Sequence, residues 1–295
     1  MKVLVTGRNG QLARALSRVA ERREIELECM GRSQLDVTSP NATQIVAARQ
    51  PNVVINTAAY TAVDAAESNP EEAFQINATG AGAIAKGAAQ VGATLIHVST
   101  DYVFSGHEQG AYTEENATEP LNVYGASKLA GEELVRASDP NVIIVRTAWI
   151  YDAQGSNFVR TMLSLARRRQ TIEVVADQWG CPTFAPDMAE CLLDIGASAL
   201  DGVGPRGIYH CAGAGDSSRA AFASEIFRQS ERAGGPFAEV KPIQSCDFHT
   251  AAPRPANTRL DCEKLARDYG VRLRPWRQGL AACIEELAGG GWSEE

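Results

Sequence analysis

The 295-residue sequence contains no apolar run long enough to cross a bilayer, and its first residues lead directly into a strand pattern rather than a signal peptide. Its seven cysteines show no Cys-x-x-Cys or Cys/His ligand spacing, which argues against a disulfide framework and a zinc-type site. Basic clusters are scarce, since only Arg167–Arg169 forms a sharp run and the formal net charge is −8. This balance argues against nucleic acid or an anionic membrane as a partner. We therefore expect a cytoplasmic globular protein.

Short apolar segments alternate with helical segments through the first half of the chain. The predicted strands are Val3–Thr6, Glu26–Met30, Val53–Asn56, Thr94–Ser99 and Val142–Thr147. The predicted helices are Gln11–Arg22, a helix capped by Ser39 and Pro40 that runs to about Arg49, Asn69–Val91, and Asn122–Ala137. Strands regularly separated by helices predict an α/β fold with a Rossmann-like, doubly wound parallel sheet.

The pattern loosens after Trp149, where glycines and prolines become frequent. Further helices are predicted near Pro186–Ala199, Ala220–Arg232, Cys262–Tyr269 and Trp276–Leu287. We interpret residues 1–150 as the Rossmann domain and residues 151–288 as a smaller C-terminal, mainly substrate-binding lobe, some of whose helices return to the sheet. Residues 289–295, which begin with three glycines, are expected to form a flexible tail.

The turn between the first strand and the first helix carries Gly7 and Gly10. Glycine at such a turn lets the backbone approach a pyrophosphate closely, and the helix N-terminus offers unpaired N–H groups. The third glycine of the usual pattern is replaced by Ala13, the smallest alternative. Because the turn lies inside a βαβ pattern, it predicts a dinucleotide site, and residues 1–150 are expected to bind NAD(P).

The residues that follow the second strand bear on the choice of cofactor. Sites that prefer NAD usually place an acidic residue there, but residues 29–33 of this chain are Cys, Met, Gly, Arg and Ser. Arg32 could bind a ribose phosphate through its planar guanidinium, or it could be an exposed loop arginine. We predict a preference for NADPH, with NADH possible.

Tyr124 and Lys128 are four residues apart in a predicted helix and therefore share one face. A tyrosine titrates near pH ~10, so a neighbouring cation helps it to exchange protons near neutrality. Thr100 follows the fourth strand at its carboxyl end, where open parallel sheets bind ligands, and its hydroxyl could hold a carbonyl oxygen. A Tyr-x-x-x-Lys pair alone could be an exposed helical pair, but the three residues together predict a catalytic site.

These features resemble the extended short-chain dehydrogenase/reductases, whose Ser/Thr–Tyr–Lys triad matches Thr100, Tyr124 and Lys128. The chain is most similar to the dTDP-4-dehydrorhamnose reductase family, nearly end to end. The segments that carry this similarity are residues 56–64, 99–104, 120–125, 146–149, 177–180, 182–183 and 254–255. The resemblance implies NADPH-dependent reduction of the 4-keto group of dTDP-4-dehydro-L-rhamnose to dTDP-L-rhamnose. Tyr124 would donate the proton, and Lys128 would bind the nicotinamide ribose and favour ionised Tyr124.

The resemblance also implies which residues bind the cofactor and the nucleotide-sugar substrate. The implied cofactor contacts are Gly10, Gln11 and Leu12 at the diphosphate, Asp36 and Val37 at the adenine, Ala58, Ala59 and Tyr60 at the ribose and diphosphate, and Val98 at the nicotinamide ribose. The implied substrate contacts are Thr100, Asp101 and Trp149 at the sugar, with Asn157 and Arg254 as candidates at the nucleotide end.

This chain differs from related families at two positions, and these differences bear on the predicted activity and on the predicted metal content. Sugar-nucleotide dehydratases of similar sequence carry a glutamate base where this chain has Tyr102, which favours a simple reductase. Some similar reductases form a magnesium-assisted dimer through a glutamate of the first helix, but the matching residue is Ala15, so we predict no metal site. A monomer and a homodimer both stay open. A reductase or epimerase of another nucleotide sugar and a non-catalytic regulatory subunit of the same fold also remain as alternatives.

Overall fold

The structure is a computed structural model that describes residues 1–139 and 142–292. Its centre is a six-stranded, fully parallel sheet. In spatial order the strands are β10 (Gly207–His210), β5 (Ile143–Thr147), β4 (Thr94–Thr100), β3 (Val53–Asn56), β1 (Lys2–Thr6) and β2 (Glu26–Met30). The inner strands are almost wholly buried, as expected where helices cover both faces of a sheet. The predicted doubly wound parallel sheet is confirmed.

Helices form a layer on each face of this sheet. One layer contains α1 (Gln11–Arg22) and α8 (Ala185–Leu200), and the other contains α2 (Ala42–Ala48), α5 (Ala81–Gln90) and α6 (Val123–Ser138). Helix α1 turns Leu12, Leu16 and Val19 into the core, the helical spacing that the sequence predicts. The direction of strand order reverses between β1 and β3, which creates a crevice where their carboxyl ends diverge.

The helix predicted over Asn69–Val91 is confirmed. It consists of α4 (Pro70–Phe74), a π-helical turn (Gln75–Gly80) and α5 (Ala81–Gln90), which follow one another without a break, and a separate short helix, α3 (Val63–Ser68), precedes it. The widened turn lets the buried Asn77 side chain bind the backbone of Tyr60. Its last residue is a glycine because a Cβ at Gly80 would lie 2.8 Å from a Val37 methyl carbon.

The start predicted for the second helix, with Ser39 as the cap and Pro40 as the first helical residue, is wrong by two residues. Helix α2 begins at Ala42, because the preceding residues form consecutive turns. In these turns the Ser39 N–H donates to the Asp36 carbonyl at 3.0 Å, and the Ala42 N–H donates to the Ser39 carbonyl at 3.0 Å. Asp36 also accepts hydrogen bonds from Thr38, which holds this loop in place ahead of the helix.

The second half of the chain adds short two-stranded sheets and further helices. The sheets pair β6 (Ile150–Tyr151) with β9 (Thr183–Phe184), β7 (Thr171–Val175) with β12 (Glu239–Ile243), and β8 (Trp179–Gly180) with β11 (Ser217–Ser218). The helices are α7 (Phe158–Ala166), α9 (Arg219–Arg232), α10 (Glu263–Tyr269) and α11 (Trp276–Gly289). A second core forms among α7, α9 and α11 around Phe222, Trp276 and Tyr151.

The predicted domain boundaries stay predictions, and the structure adds two facts about them. Helix α8 and strand β10 lie beyond residue 150 but belong to the layers of the main sheet. Helix α11 continues through Gly289, and the Trp292 N–H donates to the Leu287 carbonyl at 3.1 Å. The last residues of the predicted tail, 293–295, lie outside the described residues. No helix within the described ranges has the length and apolar character of a membrane span.

We expect Gly131→Ala to destabilise the protein. A Cβ at Gly131 of α6 would lie 2.1 Å from the Asn77 carbonyl oxygen of the π-helical turn, so one of the two backbones must move. Overpacking of this kind costs about 2–3 kcal/mol. Alanine gains only about 1 kcal/mol over glycine inside a helix. The clash therefore dominates, and urea unfolding should show a lower free energy of unfolding.

Gly110→Ala is the matched control, because nothing lies within 4 Å of the Cβ position at Gly110. This variant should change the free energy of unfolding by less than about 0.5 kcal/mol. Equal effects at the two positions would contradict a backbone contact between α6 and the π-helical turn.

Candidate active site

The turn after β1 forms a cradle of backbone at the crevice between β1 and β3. Gly7 has a φ of +79°, a left-handed conformation that favours glycine, and a Cβ there would lie 3.0 Å from the Ala58 backbone. The Gly10 N–H donates to the Gly7 carbonyl at 2.8 Å, and α1 then starts at Gln11 without a side-chain cap. The first N–H groups of a 12-residue helix thus face the crevice, where an anion would be stabilised.

Hydrogen bonds join the ends of β1 and β3 and fix the loop that faces this cradle. The buried Thr6 hydroxyl donates to Asn56 at 2.6 Å and accepts from the Ala58 N–H at 3.1 Å. Ala59 and Tyr60 continue the loop and are partly buried. The residues that the resemblance implies at the cofactor ribose and diphosphate therefore line the same crevice as Gly7.

Two further predicted cofactor residues, Gln11 and Leu12, begin α1 and differ in which of their atoms can reach a ligand. Leu12 is buried in the first core, so only its backbone could reach a cofactor. The Gln11 Oε1 atom is buried and has no hydrogen-bond partner among the described residues. A buried amide oxygen without a partner is costly, and it is consistent with a site built for a ligand.

Arg32 and Asp36 lie together on the surface beyond β2. The Arg32 Nε is 3.2 Å from Asp36 Oδ2, and the Arg32 side chain is 72% exposed. Hydrogen bonds from Thr38 are the main cause that lowers the pKa of Asp36, and Arg32 adds to it. Val37 packs against Gly80 and the second-face core. Arg32 is thus accessible to a ribose phosphate, but its nearest charge is a carboxylate.

The predicted triad comes together at the carboxyl end of β4. The Thr100 hydroxyl donates to Asp101 Oδ1 at 2.9 Å and accepts from the Tyr102 N–H at 3.2 Å. Tyr124 lies close enough to Thr100 for the threonine hydroxyl to act on the pKa of the phenol. Lys128 lies one turn further along α6, and its Nζ donates to the Val98 carbonyl at 2.8 Å.

Burial controls the protonation of these groups. It raises the pKa of Tyr124, so the phenol is neutral near pH 7. It lowers the pKa of Lys128 to about 8 and raises that of Asp101 to about 6. The resemblance implied that Lys128 favours an ionised Tyr124, whereas Lys128 here binds a backbone carbonyl and is not among the groups that shift the Tyr124 pKa.

Asn77, which the sequence analysis missed, connects the Tyr60 loop to α6. Its Oδ1 accepts from the Tyr60 N–H at 2.7 Å, and its Nδ2 donates to the Ser127 hydroxyl at 2.9 Å. Ser127 in turn donates to the Tyr124 carbonyl at 2.8 Å. The sequence offered one signal for Asn77, a polar residue inside an alanine-rich segment, but the residues that it contacts are far away along the chain. The structure shows that its side chain is fully buried.

A buried ion pair anchors α6 against the sheet directly behind the triad. Arg146 of β5 binds Glu132 of α6 through two hydrogen bonds of 2.9 and 2.7 Å, and both side chains are 3% exposed. The Ser99 hydroxyl, next to Thr100, donates to the same carboxylate at 2.5 Å. Bidentate geometry and an added donor satisfy the carboxylate, as a buried charge requires.

Trp149 and Arg219 form one wall of the site, next to Tyr102. The Arg219 guanidinium carbon lies 3.5 Å from the centroid of the Trp149 ring. Trp149 has a φ of +47°, and Gly180 packs so closely that a Cβ would lie 2.4 Å from the indole. Arg219 also contacts Tyr102, whose ring centroid is 5.8 Å from that of Tyr124. The sequence analysis missed Arg219, because no local motif marks it.

The two other predicted substrate residues are placed differently. Arg254 lies near Arg219 and Tyr102, and its NH2 group is 2.8 Å from Asp64 Oδ2. Asn157 caps α7: its Oδ1 accepts from the Arg160 N–H at 3.2 Å, and its Nδ2 donates to the Asp152 carbonyl at 2.8 Å. The structure thus brings Arg254 to the wall of the site, while both ends of the Asn157 amide serve the helix start.

Within residues 1–139 and 142–292, no cluster of three potential metal-ligating His, Cys, Asp or Glu side chains occurs. Ala15, where the resemblance places a glutamate in some reductases, is fully buried between α1 and the sheet. Glu190 of α8 lies across from α1 and is paired with Arg22 and Arg23. Guanidinium groups therefore neutralise the carboxylate on this surface.

Comparison with known proteins identifies the family. Residues 1–288 match the family described as RmlD substrate binding domain. The chain belongs to this family. A dTDP-4-dehydrorhamnose reductase from Sinorhizobium fredii is 44% identical over 97% of this chain and 98% of that protein. The enzyme of the same name from Salmonella typhimurium is 38% identical over 97% of this chain and 98% of that protein.

Solved structures of the family have the same fold. A dTDP-4-dehydrorhamnose reductase from Clostridium acetobutylicum superposes with a TM-score of 0.91 at 37% identity, covering 97% of this chain and 99% of that one. The enzyme from Bacillus anthracis, solved in complex with NADP, has a TM-score of 0.90 at 36% identity over 97% of this chain and 100% of that one. The family resemblance drawn from the sequence is confirmed.

We expect Asp101→Asn to become more stabilising, relative to the natural protein, as the pH rises from 4 to 7. The folded-state pKa of Asp101 is about 6, above its ordinary 3.8, so the folded protein binds more protons than the unfolded chain in this range. The Asp101 contribution to stability is therefore present at low pH and lost as the pH rises through about 6. A shift of this size corresponds to about 3 kcal/mol, measurable by urea unfolding across the pH range.

Asp177→Asn is a control of opposite sign. Burial raises the pKa of Asp177, but the hydrogen bonds from Ser245 outweigh burial and the net pKa is lowered. This variant should lose stability relative to the natural protein as the pH rises. If Asp101→Asn follows the same trend as Asp177→Asn, Asp101 is not a carboxyl group with a raised pKa.

Proposed function

We propose that this protein is an NADPH-dependent reductase that converts the 4-keto group of dTDP-4-dehydro-L-rhamnose to the hydroxyl of dTDP-L-rhamnose. The observation that carries the proposal is the contact between Tyr124 and Thr100 at the carboxyl end of β4, with Lys128 one turn along α6. Full-length relatives named dTDP-4-dehydrorhamnose reductase support the substrate. A relative solved with NADP supports the cofactor.

The residues around the β1 turn fit a dinucleotide. The space beside Gly7, which a Cβ would fill, and the uncapped start of α1 suit a diphosphate, while the unpartnered Gln11 Oε1 can accept from a ligand. Arg32 is exposed and would bind the 2′-phosphate of NADPH. When bound, the nicotinamide supplies the hydride that reduces the ketone carbon.

Tyr124 is the proton donor in this proposal. Burial keeps its phenol neutral, so its Oη carries the proton that the ketone oxygen must receive as the carbonyl becomes an alcohol. Thr100, whose hydroxyl donates to Asp101 at 2.9 Å, lies beside the phenol and would hold the ketone oxygen in front of it. The Lys128 ammonium, whose Nζ donates to the Val98 carbonyl beneath the site, would bind the nicotinamide ribose.

On the substrate side, Trp149 and Arg219 form an aromatic and cationic wall that faces the triad. Asp101 is buried beside Thr100 and would accept a hydrogen bond from a sugar hydroxyl. Tyr102 replaces the base that an elimination would need, and burial raises its pKa. A neutral tyrosine at this position favours reduction over removal of a proton next to the carbonyl.

Tyr124→Phe should lower kcat for NADPH oxidation with dTDP-4-dehydro-L-rhamnose by about 10³-fold, because the variant lacks the only proton that the phenol can donate. Its affinity for NADPH, measured by the quenching of protein fluorescence, should change less than about threefold. Turnover within a few-fold of the natural protein would sink the assignment.

Tyr269→Phe is the matched control for the loss of one tyrosine hydroxyl. The Tyr269 hydroxyl donates to the Pro205 carbonyl at 2.9 Å, just before the amino end of β10 and thus at the opposite edge of the sheet. This variant should keep kcat within about twofold of the natural protein.

The substrate and cofactor are tested together with a panel of dTDP- and UDP-linked 4-keto sugars, each with NADPH and with NADH. The proposal expects the highest kcat/KM with dTDP-4-dehydro-L-rhamnose and NADPH, with cofactor consumed in a ratio of one to one with product. Conversion of a sugar to its epimer without net NADPH consumption would instead indicate an epimerase, and no turnover with any acceptor would favour a regulatory subunit.

A further inference from the structure

Arg219 is the most unusual cation of the second lobe. It is the first residue of α9 and is partly buried. Its guanidinium carbon lies 3.5 Å from the Trp149 ring centroid and 5.3 Å from that of Phe158. Its polar contact is with Tyr102, one side chain away from Tyr124. The stacked guanidinium is therefore held in a fixed plane at the edge of the candidate site.

Within the described part of the chain, Arg219 has no acidic partner at contact distance. Other arginines of the lobe form ion pairs: Arg254 with Asp64, Arg259 with Asp216, and Arg274 with Asp187. Among residues 1–139 and 142–292, no carboxylate forms a comparable pair with Arg219, although Asp101 attracts it from a longer range. A partly buried cation that is not neutralised by the protein is costly unless a ligand anion completes the site.

Arg254 lies close enough to add a second positive charge. Burial is the main cause that lowers the pKa of Arg219, and repulsion from Arg254 contributes to it. Two guanidinium groups at one wall, one stacked on Trp149 and one tethered to Asp64, create a local positive potential in a protein whose net charge is −8.

We propose that Arg219, with Arg254 beside it, binds the diphosphate of a nucleotide-sugar substrate. The inference rests on the proposed function, which supplies the diphosphate. The guanidinium fork matches phosphate oxygens in a bidentate way, and stacking on Trp149 leaves its N–H edge available. The contact of Arg219 with Tyr102 places this charge next to the triad, as expected for a diphosphate attached to the sugar whose ketone faces Tyr124.

The test measures binding of dTDP and of thymidine by isothermal titration calorimetry, so that the diphosphate is the only difference between the two ligands. Arg219→Met should weaken dTDP binding by about 10- to 100-fold, because charge-assisted hydrogen bonds to the phosphates are lost. Thymidine binding should change less than about twofold. Arg219→Lys keeps the charge but not the planar fork, so its loss should be intermediate.

Arg277→Met is the matched control, since Arg277 also stacks on a tryptophan, with its guanidinium carbon 4.3 Å from the Trp276 ring centroid, but is exposed on α11. It should bind dTDP like the natural protein. Thermal unfolding of each variant checks that the fold is retained, and Arg219→Lys provides a test if Arg219→Met does not fold.

The outcomes separate this inference from the proposed function. Unchanged dTDP affinity in Arg219→Met and Arg219→Lys, or equal losses for dTDP and thymidine, overturns the role of Arg219 while leaving the reductase intact. If the natural protein binds UDP but not dTDP, the proposed substrate is wrong, and the same comparison with UDP and uridine decides the role of Arg219. If it binds neither nucleoside diphosphate, both proposals fail.

Discussion

The relation between Tyr124 and Thr100 depends on how closely α6 approaches the segments that follow β3 and β4. A Cβ at Gly125 would lie 2.2 Å from the Tyr102 carbonyl oxygen, and one at Gly131 would lie 2.1 Å from that of Asn77. Only glycine allows backbones to meet at such distances. Helix α6 therefore approaches these segments closely at two points. Tyr124, next to Gly125, thereby lies near Thr100 at the end of β4.

The charged side chains on the two sides of α6 are neutralised to different degrees. Behind it, Glu132 and Arg146 neutralise each other through two hydrogen bonds, which hold α6 in place. In front, Lys128, Asp101 and Arg219 form no ion pair with any residue that the structure describes, and burial shifts the pKa of each toward its neutral form. Charges that the protein neutralises only in part are tolerated where a ligand supplies the opposite charge. The Glu132–Arg146 pair is therefore part of the supporting structure, and the charged groups in front of α6 belong to the candidate site.

Much of the fold and of the candidate site was predictable from local sequence signals. Alternating apolar segments identify the strands, and the carboxyl ends of parallel strands meet at one edge of the sheet. Chain order alone therefore brings Gly7, Thr100 and Tyr124 to the same edge. Within the helix predicted over Asn69–Val91, local signals did not indicate the π-helical turn at Gln75–Gly80, where the Asn77 side chain binds the Tyr60 backbone.

The sequence by itself therefore determined the parallel α/β sheet, the phosphate turn and the Thr–Tyr–Lys arrangement, because each follows from neighbouring residues and from strand direction. Only the tertiary structure decided that Arg219 faces the triad, that Asn77 connects two loops and that Asn157 serves as a helix cap. Arg219 is the first residue of α9, whose apolar residues pack in the second core, and it stacks on Trp149. Such contacts depend on how elements distant in sequence pack together, and no periodicity or short motif carries that information.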